Sequence, residues 1–295
     1  MSRNPQITEI EELNEMARQI RRDIIHMLAI AQTGHSGAPL GMADIFTALY
    51  FNVLNIDSKN PEFEDRDYFF LSIGHIAPVW YATLARRGYF PIEELKTLRR
   101  INGRLQGHPA PMKTHGVPGV EIASGSLGQG LSIAVGTALG LRMNGKENYV
   151  YCGIGDGELQ EGQLWESMMT AAHHNVDNIT TIIDRNHCQI DNRTEQVLKL
   201  EPLADKLKAF GWHVYEIDGH NMEEIIATVN ESKSVKGKPK MIIANTFMGR
   251  GVSFMEDNYK WHGVPPNLEQ AAIAIKELAP TKFGDFFDLE EMAEI

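Results

Sequence analysis

The chain has 295 residues, of which 43 % are hydrophobic and 23 % charged, with 28 Lys and Arg against 39 Asp and Glu and a formal charge of −11. This is a globular composition long enough for a large core. It argues against disorder, a membrane span and general nucleic-acid binding. Only Cys152 and Cys188 are present and no apolar leader opens the sequence, so a soluble cytoplasmic α/β protein without a disulfide framework is expected.

Residues 9–32 carry Ile10, Leu13, Met16, Ile20, Ile24, Met27 and Leu28 at three- and four-residue steps, predicting an amphipathic helix with Thr8 as N-cap and Glu11 three residues on. A Gly/Pro-rich turn at 33–41 leads to a helical stretch at about 42–53. Asp67–Ile73 reads as a strand ending at Gly74-His75, and 77–87 as a helix. Residues 102–124 are rich in Gly, Pro and His and aperiodic, which predicts a long loop of functional interest.

From Gly125 a small-residue helix is expected to about 144, then strand Tyr149–Ile154 and a helix at 161–174. Strand Ile179–Ile183, helix 202–209 and strand His213–Ile217 follow, with helix 222–232 and strand Met241–Asn245 last. Alternating strands and helices, with continuous apolar strands, predict a mostly parallel sheet with helices on both faces. No linker divides the chain. The expectation is a single domain over 1–295, with a helical N-terminal extension (about 1–55) and a solvated acidic end (about 280–295) containing Asp285, Asp288, Glu290, Glu291 and Glu294.

Three features carry chemistry. Gly155-Asp156-Gly157 and Asp184-Arg185-Asn186 close successive strands, where open parallel sheets bind ligands. Asp156 and Asn186 offer hard oxygen donors of the kind Mg²⁺ takes, although Gly, Asp and Asn are also common in plain βα turns. Gly125-Ser126-Leu127-Gly128-Gln129-Gly130 precedes a helix and either holds an anion on main-chain N–H groups or packs tightly through its small residues. His35, His75, His108 and His262 each adjoin glycine in turns, suited to proton handling and anion contacts, and match no metal motif. His173, His174 and His213 read as structural.

Together the segments GHSGAPLGMAD (34–44), SIGHIAPVWYATL (72–84), LQGHP (105–109), GVEIASGSLGQGLSIAVGTALG (119–140), GDGELQEGQLWES (155–167) and WHG (261–263) resemble the thiamine-diphosphate enzymes, specifically transketolase. They occur in that family's order over about residues 10–265, with 28 residues between Gly157 and Asn186. The resemblance covers only the N-terminal, diphosphate-binding part of a full-length transketolase. It implies the thiamine-diphosphate-binding fold, with thiamine diphosphate and Mg²⁺ (or Ca²⁺) as cofactors. A C-terminal partner subunit would carry the pyrimidine-binding domain in an α2β2 assembly, acting on sugar phosphates without nucleic acid or membrane.

By motif match, Asp156, Asn186 and the backbone carbonyl of Cys188 would hold the metal. Gly157, His75 and His262 would lie by the diphosphate, and Gly125 and Leu127 beside the cofactor rings. His35 and His108 would contact the donor sugar, with His35 and His262 handling its protons. Glu161 and Glu166 would sit at the subunit interface. The implied reaction moves a two-carbon ketol unit from a ketose phosphate to an aldose phosphate. Alternatives are a transketolase for another sugar, including sulfo- or branched sugars, a deoxyxylulose-phosphate synthase or 2-oxoacid dehydrogenase relative, and a non-catalytic, cofactor-free relative. Two departures bear on the sugar: Ser36 stands where many relatives have proline, and Val264-Pro265-Pro266 follows His262-Gly263 where Ala-Pro or a Lys-containing segment is common.

Overall fold

The computed structural model describes residues 5–289. The helices, in chain order, are α1 (Ile10–Ala31), α2 (Gly37–Gly41), α3 (Ala43–Ala48), α4 (Ala77–Arg87), α5 (Gln129–Met143), α6 (Gly162–His173), α7 (Thr194–Val197), α8 (Leu203–Ala209), α9 (Met222–Ser232) and α10 (Leu268–Glu277). The strands are β1 (Tyr68–Leu71), β2 (Val150–Gly155), β3 (Ile179–Arg185), β4 (His213–Asp218) and β5 (Lys240–Asn245). They form one sheet in the order β1-β2-β3-β5-β4, every neighbouring pair parallel.

Alternation along each strand divides the core into two layers. Phe69, Leu71, Tyr151, Ile182, Ile242 and Ala244 face α1, α3, α4, α9 and α10. Phe70, Cys152, Ile154, Ile183, Met241 and Ile243 face α5, α6 and α8. Helices therefore cover both faces of the parallel sheet, as expected, and the strands' C-terminal ends open along one edge.

Several boundaries differ from the sequence reading. Thr8 does not cap α1: residue 9 is the N-cap and makes no side-chain cap bond, because the preceding chain runs extended with Ile7 N–H donating to Phe51 O at 2.8 Å. The stretch at 42–53 divides into α3 and a turn of π-helix at Leu49–Val53, and the expected turn at 33–41 contains α2. The helix expected from Gly125 starts at Gln129, since Gly125 (φ 152°) and Gly128 (φ 84°) hold the backbone in a loop. Helix α10 lies beyond the last expected element and opens with an Asn267–Gln270 capping box.

The polar side of α1 is buried because its charges are partnered across the fold. Arg21 grips Asp44 through both carboxylate oxygens, and Asp23 accepts two bonds from Arg86. Arg22 donates to both oxygens of Asp285 at 2.8 and 2.5 Å. That last pair corrects the reading of the acidic end as plain solvated surface. Glu290, Glu291 and Glu294 lie outside the described residues. Among those residues no helix is long and apolar enough to cross a membrane.

Candidate active site

Four strand ends deliver the site. Past β1 the chain turns through Gly74–Ile76, placing His75 over the sheet edge. A Cβ on Gly74 would lie 2.6 Å from Ser124 Oγ and 2.8 Å from Gly125 N, so only glycine lets the 124–125 loop come this close. At the ends of β2 and β3, Gly155 is in register with Asp184, which puts the two motifs side by side. Thr246 follows β5 and its hydroxyl donates to Asp184.

A cavity of about 440 Å³ opens there, within the ordinary range for small-molecule sites. Its walls include His35, His75, His108 and His262, with Gly125, Leu127, Asp156, Gly157, Asn186 and Cys188. All the candidate catalytic, cofactor and metal residues thus reach one cavity from seven separate chain segments. Glu161 and Glu166 do not: both are exposed on or beside α6, where Glu166 borders a shallow groove with Ser132 and Gly136 of α5. His173 closes α6 and His174 is its C-cap.

Three imidazoles form a triangle, with centroids 5.0 Å apart for His35–His75, 5.5 Å for His35–His262 and 5.1 Å for His75–His262. His108 stands on another wall, its ring 3.2 Å from where a Cβ on Gly125 would be. Burial, reinforced by the neighbouring histidines, pushes His35 down to about 4 and His75 to about 3. Burial likewise lowers His262 and His108. The rings are therefore neutral at pH 7 and act as hydrogen-bonding groups, not as fixed cations. Nδ1 of His35 and Nδ1 of His262 are buried without a protein partner, which leaves polar atoms ready for a ligand.

Asp156 is buried, and its carboxylate accepts from Gly157 N at 2.7 Å, His187 N at 2.8 Å and Arg185 Nη1 at 3.0 Å. Burial raises its pKa, with Arg185 opposing. Arg185 also donates to Glu195 and Glu201, so one guanidinium joins three carboxylates. Asn186 is oriented from both sides: its Nδ2 donates to Asp184 at 2.7 Å and its Oδ1 accepts from Cys188 N at 2.9 Å. A carboxylate has about four acceptor positions and an amide oxygen two, so Asp156 and Asn186 each keep one for a cation. Burial pushes the Cys188 thiol up to about 11, leaving it protonated. A hard cation there would take the main-chain oxygen, not a thiolate. Among the described residues no group of three or more His, Cys, Asp or Glu is arranged around a metal, so any ion here depends on this mixed carboxylate, amide and carbonyl set.

The sequence reading missed Glu158. Buried three residues past Gly155, it accepts from the Ser72 hydroxyl, from Gly128 N at 2.7 Å and from Gly155 N at 3.1 Å. Ser72 in turn accepts from Gly130 N at 3.0 Å. This carboxylate ties β1, the Gly125–Gly130 loop and the end of β2 together. Its visible sign was a charged residue directly after Gly155-Asp156-Gly157. Asp184 and Arg185, read only as neighbours of Asn186, are equally part of the frame.

Residues 12–284 match the family model described as transketolase, thiamine diphosphate binding domain. The chain belongs to the transketolase family. It is 42 % identical over 90 % of its length to the 6-deoxy-6-sulfo-D-fructose transketolase subunit SqwG of Clostridium sp. (strain MSTE9), covering 96 % of that protein. It is 40 % identical to an apulose-4-phosphate transketolase subunit from Actinobacillus succinogenes, over 93 % of this chain and 99 % of the relative. Among solved structures, the transketolase from Leishmania mexicana superposes with a TM-score of 0.84 at 32 % identity, over 96 % of this chain and 43 % of that one. The chain thus spans under half of the full-length transketolases it matches. Its fold is that of their N-terminal thiamine-diphosphate-binding domain, and the family's activity is of the transferase class.

Proposed function

We propose that this chain is the diphosphate-binding subunit of a two-chain transketolase. In this reading it moves a two-carbon ketol unit from a ketose phosphate to an aldose phosphate and is active only with a C-terminal partner carrying the pyrimidine-binding domain. The observation that supports it most is the convergence of the histidine triangle with Asp156 and Asn186 on one cavity at the strand ends. Near-complete coverage of two relatives named as subunits, against 43 % of full-length transketolases, supports the second chain.

Asp156, Asn186 and the Cys188 carbonyl would hold Mg²⁺ or Ca²⁺ against a diphosphate. Gly157, lacking a side chain, would let that diphosphate approach, with His75 and His262 as neutral hydrogen-bonding partners. Gly125 and Leu127 would flank the cofactor rings. Thiamine diphosphate supplies the carbanion chemistry of such sites. The chain's own part is to bind and orient, and to move protons at the sugar hydroxyls through His35 and His262, with His108 holding the donor. Anionic charge beside an imidazole raises its pKa, so a phosphate-bearing ligand brings these rings toward the range in which histidine exchanges protons. Glu161 and Glu166, both exposed, would meet the partner in an α2β2 assembly.

A second reading, a sulfonated or branched sugar as donor, is supported by the names of the two relatives at 40 % identity and above. Both are tested by a coupled ketol-transfer assay with thiamine diphosphate and Mg²⁺, with and without the partner chain. The donors are xylulose 5-phosphate, 6-deoxy-6-sulfofructose and apulose 4-phosphate, with ribose 5-phosphate among the acceptors. Transfer only with both chains is the expected result, and the preferred donor separates the readings. Absence of cofactor binding by the paired complex would refute both.

A further inference from the structure

The segment that carries His262 is fastened to the segment that carries His35 by one buried hydroxyl. Ser36 is fully buried at the start of α2. Its Oγ donates to Val264 O at 2.7 Å and lies 3.2 Å from Trp261 O. These two carbonyls bracket His262 and Gly263. Around them the fit is close: a Cβ on Gly263 would stand 3.5 Å from the His35 ring, and one on Gly37 would lie 3.0 Å from Trp261 O. The bracketed turn sits between the short 3₁₀ helix Tyr259–Trp261 and α10, with Gln32 Nε2 reaching Pro266 O at 3.3 Å further along.

We propose that Ser36 is a positioning residue, whose hydroxyl sets the His262 turn against His35 and so fixes the spacing of that pair. The proposal rests on the reading of His35 and His262 as the groups that handle substrate protons. A serine is suited to the task because its side chain is short enough for full burial and has one proton to aim at two adjacent carbonyls. The bond joins the Ser36 side chain to the main-chain carbonyl of Val264, the first residue of the Val264-Pro265-Pro266 segment. The hydroxyl at 36 is therefore the member of the clasp that a substitution can remove, since the carbonyls at 261 and 264 are main-chain atoms.

The test compares wild type with Ser36→Ala, which removes only the hydroxyl, and Ser36→Thr, which keeps it. In the full chain alone, hydrogen exchange is followed across 259–266. There the N–H groups of Trp261 and His262 are bonded to the carbonyls of Asn258 and Tyr259 and start protected. S36A is expected to speed exchange there roughly five-fold, the equilibrium equivalent of one ordinary hydrogen bond, with the rest of the chain unchanged and S36T close to wild type. In the reconstituted pair, S36A is expected to lower kcat roughly ten-fold with a smaller change in KM, the mark of misplaced groups rather than lost binding. Unchanged exchange at 259–266 would overturn the proposal. So would a rise spread through the whole chain with a lower Tm, which would make Ser36 a plain stability contact. Local exchange changes alongside an inactive wild-type pair would support the clasp and refute the functional reading instead.

Discussion

Replacing Asp184 with asparagine is expected to make the isolated, metal-free chain more stable at pH 8 while weakening its hold on a divalent cation. Asp184 is fully buried at the end of β3, and its accepted bonds come from neutral groups, the Thr246 hydroxyl and the Asn186 amide. Burial, with the nearby Asp156 charge adding to it, pushes its pKa from 3.8 up to about 7. A folded-state pKa above the unfolded one means the folded chain binds the extra proton. Its stability contribution is complete below pH 3.8 and is lost as pH rises through about 7. The whole effect is about 4 kcal/mol at 1.36 kcal/mol per tenfold, of which about 2 kcal/mol falls between pH 5 and pH 7. Asparagine is neutral throughout and escapes this loss. The assay is urea denaturation of both chains in EDTA from pH 5 to pH 8.5. The wild-type-minus-variant difference cancels the histidine titrations common to both. It should fall by about 2 kcal/mol from pH 5 to pH 7. The variant should also bind Mg²⁺ more weakly, because the carboxylate that orients Asn186 is gone. A difference that stays flat with pH would refute the assignment of a buried, unpaired charge to Asp184.

Three other outcomes follow from the same geometry. Asp156→Asn should weaken Mg²⁺-dependent thiamine diphosphate binding by roughly a hundred-fold or more in calorimetry, since it removes the charged member of the oxygen set. Gly130→Ala would place a Cβ 2.5 Å from Ser72 Cβ. It should cost about 1–3 kcal/mol in chemical denaturation. His26, buried beside Phe286 and pushed down to about 4 by burial, must take up a proton during acid unfolding. Its contribution is present above pH 6.5 and lost as pH falls toward 4, so His26→Leu should flatten that part of the stability profile by about 3 kcal/mol.

The parallel sheet was legible because its strands are short apolar runs separated by helix-period segments. Helix α4 was placed at 77–87, where it stands, since its limits are set by Pro78 near the start and Gly88 (φ 88°) at the end. The histidines and turn residues that line the cavity were legible because glycine, which contributes little to packing, marks the turns that bear them. What local pattern could not show was partnership. Arg21, Arg22 and Asp23 occupy consecutive charged positions between Ile20 and Ile24 of the apolar pattern. They are buried because Asp44, Asp285 and Arg86 reach them from distant elements. Glu158 was passed over for the same reason: its role depends on three N–H and O–H donors from elsewhere in the chain. Helix α10 did carry a readable sign, Asn267 followed three residues on by Gln270.

The carboxylate of Glu158 has an evolutionary consequence. Two of its three donors, Gly128 N and Gly155 N, belong to the main chain. Mutation cannot delete a main-chain N–H short of proline, so those bonds exert no selection on the side chains at 128 and 155. The third donor is the Ser72 hydroxyl, which can be lost by a single substitution. Positions 72 and 158 should therefore change together or not at all across related sequences. A chain that lost the acid would be expected to lose the serine with it, along with the hydroxyl acceptor now serving Gly130 N.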